Sequence, residues 1–191
     1  MFRKDFHFHS AAIDGAILIL LGAGLMGWLA PQVWTIQEDL PITPQSLLVV
    51  LWSVLWGWEV GLCAVLIYLF MGGMGLPVFA GGASGWHHFT GSTSGFLQAF
   101  PITALITGWI AKQARRFRYG TSAILLLSGQ FLIVVIGLYW LRAIVQPSES
   151  LLETISHLAP AILVKTAIGT LVVVMVGRVL TGHRNQMEVD P

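Results

Sequence analysis

Charge is scarce in this sequence. Ten lysines and arginines and nine acids are spread over 191 residues, so charged side chains make up 10% of the chain, against roughly 25% in an ordinary soluble domain. A soluble domain of this size could not cover its surface with so few. The net charge of +1 excludes a nucleic-acid binder, which needs a basic stripe or patch. Cysteine is nearly absent as well. The single Cys63 rules out a disulfide within the chain and supports no zinc site. No phosphate-cradling P-loop occurs, so the chain is not expected to hydrolyse ATP itself. No small-residue cleavage site follows the first apolar run, which is expected to stay as a helix rather than leave as a signal peptide.

Apolar residues fill the space that charge leaves. They form 55% of the chain, and the mean hydropathy is +0.78. A membrane-spanning helix needs about 20 mostly apolar residues. Six runs meet or approach that length, at about residues 13–30, 44–58, 60–73, 93–111, 122–141 and 155–180. The second and third are short, with Glu59 marking the turn between them. From Val60 to Ala111 there is no Asp, Glu, Lys or Arg, and a stretch of that length must cross the bilayer and return. The pattern predicts an all-α integral membrane protein. It is read as a compact bundle of six transmembrane helices, a single domain over residues 1–181, followed by a polar cytoplasmic tail at 182–191.

The few charges orient the bundle. Arg3 and Lys4 precede the first helix, Lys112, Arg115, Arg116 and Arg118 fill the junction between the fourth and fifth, and Arg178 and Arg184 flank the end of the sixth. Glu38, Asp39, Glu149 and Glu153 mark the other side. By the positive-inside rule both termini are cytoplasmic, and residues 31–43, 74–92 and 142–154 form outer loops. Arg142 and Lys165 break the pattern. Trp28, Trp34 and Trp140 then fall near the outer interface, and Trp58 and Trp109 near the inner one, as an aromatic belt requires.

The segment Gly72–Gly95, GGMGLPVFAGGASGWHHFTGSTSG, is the most informative. Its glycines permit tight turns and close approach to a ligand. Leu76, Val78, Phe79, Trp86 and Phe89 are nonetheless apolar on a segment assigned to the outside. Either the loop is a lid folded over a partly apolar ligand, or it is a structural loop buried between helices.

The motifs resemble the BioY family, the biotin-binding S components of energy-coupling-factor (ECF) transporters. GLPVFAGGASG at 75–85, GSTSGFLQAF at 91–100, LPITPQSLLVV at 40–50 and the Pro160-to-Lys165 spacing occur in the family's order, over roughly residues 40–170. Ser92 and Ser94 stand where the family has Pro and Gly, Phe96 where it has Tyr, and Ile162 where it usually has Asp. The resemblance implies six helices, biotin as the transported ligand with no resident cofactor, and energy supplied by a transmembrane coupling (T) component and ATP-binding subunits. It implies ligand contacts from Lys165, Gln45, Phe79, Gly82, Trp86, Thr93 and Phe96. It also implies that the Ala12-x-x-x-Ala16 face of the first helix meets the T component. That small-residue spacing serves equally for packing within the chain.

Lys165 is the sharpest residue in its own right. A lysine at the centre of an apolar helix costs about 2.5–3.5 kcal/mol on insertion scales. Glu153, the nearest acid before it on the same helix, is twelve residues away, or roughly 18 Å by helical rise. Snorkelling to the surface and pairing with an acid on another helix are alternatives, but an anionic ligand is the more economical partner. Arg142, at the outer end of its helix, is read as an anchor. Gln45 needs partners if buried, which a ureido group or a neighbouring helix would supply. His87 and His88 invite a metal, yet adjacent residues do not converge and no third ligand is near. The GASG string at 82–85 gives a rival reading, an intramembrane serine protease with Ser84 and His157 as its dyad. A third reading is an S component for another small vitamin-like solute.

Overall fold

The structure, a computed structural model, describes residues 11–35, 41–114, 118–145 and 150–187. The described residues fold into six α-helices. They are α1 (Ala11–Leu29), α2 (Gln45–Trp56), α3 (Trp58–Gly73), α4 (Ser94–Gln113), α5 (Tyr119–Val145) and α6 (Leu151–Met187). A two-residue antiparallel pair, β1 (Trp34–Thr35) with β2 (Pro41–Ile42), closes the loop between α1 and α2, with Trp34 opposite Ile42. Among the described residues four helices are long and apolar enough to cross a membrane: α1, α4, α5 and α6. Helices are the expected solution, because lipid offers no partner for an open N–H or C=O.

The other two are shorter than the six-span pattern implied. α2 has 12 residues and α3 has 16, about 18 and 24 Å by helical rise, against a hydrocarbon core of about 30 Å. α2 contacts every other helix, and nine of its residues are buried. A helix wrapped by protein need not match the lipid thickness, and the backbone before Gln45 is tolerated at depth because it lines a cavity. The break between α2 and α3 falls at Gly57, not at Glu59. Gly57 adopts φ 94°, open to glycine at no steric cost, and its N–H donates to Ser53 O at 2.8 Å. Glu59 instead lies in the first turn of α3 and pairs with Lys112 at the end of α4.

α6 also differs from its predicted limits. It starts at Leu151 because Ser150 and Glu153 form a capping box: Ser150 N–H donates to Glu153 Oε2 at 2.8 Å, and Glu153 N–H to Ser150 Oγ at 3.2 Å. Its backbone remains helical to Met187, through residues read from sequence as the start of a polar tail. The outward faces carry Leu20, Phe70, Phe131, Tyr139 and Met175, all exposed, as a lipid-facing surface should.

Candidate functional site

The Gly72–Gly95 segment lies across one end of the bundle and is pinned from several sides. Tyr68 of α3 donates to Val78 O at 3.0 Å, and Gly85 N–H donates back to Gly72 O at 2.7 Å. Gly81 N–H reaches Pro31 O at 3.1 Å, joining this loop to the one after α1. Trp140 of α5 donates from Nε1 to Gly91 O at 3.1 Å. This tryptophan, read from sequence as a belt residue, therefore holds the loop. Phe79 is the plug. It is 3% exposed and stands edge-on to Tyr68, His88 and Phe89, with ring centroids 5.8–5.9 Å away. Its ring lies so close over Gly72 that a Cβ there would collide with it. The segment is thus a cover with one inward face, while Leu76 and Trp86 stay outside.

Beneath the cover is a cavity of about 280 Å³. Its walls are largely apolar: Phe96, Leu97 and Phe100 of α4, Ile133 and Val134 of α5, and Leu158, Ala161 and Ile162 of α6. Polar groups come from Thr43, Gln45 and Ser46 at the entry to α2, Thr93 before α4, Gln130 on α5, Lys165 on α6 and His88 on the cover. Among the described residues no acid lines it. Lys165 Nζ donates to Ser46 Oγ at 3.1 Å. Gln45 and Gln130 are 6% and 1% exposed. The Gln45 amide lies against the Tyr68 hydroxyl, whereas the Nε2 of Gln130 has no hydrogen-bond partner among the described residues. Burial, and then the neighbouring His87, hold the His88 imidazole below its usual range. At neutral pH it is therefore an uncharged lining group.

Of the residues expected from sequence to contact ligand, five meet at this cavity: Lys165, Gln45, Phe79, Thr93 and Phe96. Gly82 and Trp86 are not among its lining. Gly82 is exposed, in the left-handed region at φ 76°, and serves the fold of the cover. Trp86 is 54% exposed and packs on Phe70 and Phe89. Gln130 and His88 were missed as ligand candidates. A glutamine within an apolar span was the available signal for the first, since polar groups at membrane depth are rare. Among the described residues no three metal-ligating side chains form a group, and the His87 and His88 rings lie side by side at 4.2 Å. Ala12 and Ala16 are exposed on α1, so their spacing is not used for packing among the described residues.

An apolar helical bundle with a covered cavity and a half-buried lysine defines a multi-pass membrane protein built around a small-molecule pocket. The sequence matches the BioY family over residues 4–185, and the chain belongs to that family, one of transporters rather than enzymes. A protein of Lactococcus lactis described as biotin transporter BioY2 is 35% identical over 134 residues, covering 70% of this chain and 72% of its own. A probable biotin transporter BioY of Pyrococcus horikoshii is 38% identical over 105 residues, or 55% of this chain and 60% of that one. The fold is also that of a solved S-component for biotin from an ECF-type ABC transporter. The TM-score is 0.73 at 22% identity, over 88% of this chain and 93% of the other.

Proposed function

We propose that this chain is the substrate-binding S component of a biotin uptake system. It captures biotin in the covered cavity from the outer side of the membrane. Lys165 carries this assignment. It is a cation at membrane depth whose cavity contains no acid among the described residues, and its hydrogen bond is to a hydroxyl. The valerate carboxylate of biotin supplies the missing counter-charge, the apolar walls take the fused rings, and the buried amides suit the ureido group. The uncapped N-terminus of α2 opens at the same cavity, and its partial positive charge favours an anion.

Lys112, Arg118 and Arg178 lie at the bundle end opposite the cover, which supports cytoplasmic termini and an outward cavity. A T component and ATP-binding subunits then drive release inward, with the exposed Ala12 and Ala16 face of α1 as the contact. Titration of the purified protein with biotin, beside a panel of other vitamins, tests the reading. Saturable binding of biotin alone is expected. Preference for another vitamin, with none for biotin, would make the chain an S component for a different solute.

A further inference from the structure

The proposed biotin site leaves open how the cavity tells a ureido ring from rings of similar shape. Gln130 stands on the face of α5 that also presents Ile133 and Val134 to the cavity. It is 1% exposed, and its Nε2 has no partner among the described residues. A buried donor left unpaired costs about 1–3 kcal/mol.

Depth places Gln130 with the other polar groups. Arg178 lies over the Tyr119 ring at 5.6 Å, so these residues set a common level for α6 and α5. Gln130 is eleven residues above Tyr119 and Lys165 thirteen above Arg178, or about 16 and 20 Å along the axes. Val50 of α2 packs directly on Gly129 of α5, one residue below Gln130. Gln130 therefore lies just below the ammonium, about one helical turn deeper than Gln45, which is five residues above Val50.

We infer that Gln130 is a specificity-determining residue, whose Nε2 donates to the carbonyl oxygen of the ligand's ureido group. The inference rests on the biotin reading and deepens it. A carbonyl oxygen only accepts, and so satisfies this donor. A ligand that presents a donor at the same place leaves the amide unpaired and meets a repulsive contact, which is how a polar site discriminates.

The test compares biotin with iminobiotin, whose cyclic guanidinium at neutral pH puts an N–H where biotin has the oxygen. Wild type is expected to prefer biotin strongly. Gln130→Leu should weaken biotin roughly ten- to hundredfold and shrink that preference. It should leave the ratio of biotin to its neutral carboxamide unchanged, because the carboxylate belongs to Lys165. Gln130→Glu keeps the shape, replaces the donor by an acceptor, and should shift preference toward iminobiotin. Either variant retaining the wild-type preference between biotin and iminobiotin overturns the role of Gln130 while the biotin reading stands. Failure of the wild type to bind biotin overturns both.

Discussion

Lys165 Nζ donates to Ser46 Oγ at 3.1 Å, tying the middle of α6 to the first turn of α2. A hydroxyl accepts a hydrogen bond but does not neutralise an ammonium. The lining of the cavity provides no carboxylate among the described residues. The site thus holds its lysine ready for an anion, with Ser46 fixing the direction of Nζ.

Lys165→Ala is expected to weaken biotin binding by roughly one to two decades. Charge-assisted hydrogen bonds contribute about 1.5–3 kcal/mol net, at 1.4 kcal/mol per decade. Calorimetric titration of biotin and its carboxamide locates the contact. Wild type should prefer the carboxylate and the variant should lose that preference. Equal weakening of both ligands would move Lys165 to the ureido end, and no weakening would remove it from the site.

Tyr68→Phe probes the cover. The hydroxyl is buried and donates to Val78 O at 3.0 Å, and its loss removes a bond worth about 0.5–1.5 kcal/mol. Opening should become easier, so release of bound biotin should quicken by roughly two- to tenfold, with entry changed less. Release of radiolabelled biotin after dilution measures this. An unchanged release rate would mean that the segment does not move as a lid.

Much of this architecture could be read from the chain because lipid imposes it. Long apolar runs announced α1, α4, α5 and α6, and a lysine inside such a run announced Lys165. The limits of α2 and α3 were harder, since burial by other helices relaxes the length rule and a glycine conformation, not a charge, ends α2 at Gly57. The start of α6 was written in the Ser150–Glu153 box, which an apolar count passes over. The placement of Gly82 and Trp86 outside the cavity lining was hidden for a different reason. A glycine-rich loop has no periodicity, so nothing in the order of residues says that Phe79 turns inward while Trp86 turns out. Gln130 went unmarked because its meaning depends on the cavity it lines with Lys165, which only the fold brings together.

Orientation can be checked by labelling. Single cysteines at Ser84 on the cover and at Gln113 at the end of α4 should respond oppositely to an impermeant thiol reagent. The background must lack Cys63, which is exposed. Ser122, near the start of α5, is unsuitable because it is fully buried. Ser84→Cys should label from outside intact cells and Gln113→Cys only after the inner face is opened. The reverse pattern would invert the topology and place the cavity on the cytoplasmic side.

The last prediction concerns coupling. Ala12 and Ala16 are exposed and one helical turn apart on α1, a spacing that lets another helix approach closely. α1 packs inward on α3 and α2, and Trp52 of α2 fastens it by donating to Leu18 O at 3.1 Å. Bulk added at Ala12 or Ala16 therefore meets none of the described residues. Ala12→Trp and Ala16→Trp should leave thermal stability and biotin affinity near wild type. They should abolish uptake in cells and co-purification with the T component, since a large side chain separates helices that small residues let touch. Biotin affinity falling in step with uptake would show that the substitutions disturb the bundle. Uptake persisting with the partner still bound would place the coupling surface elsewhere on the protein.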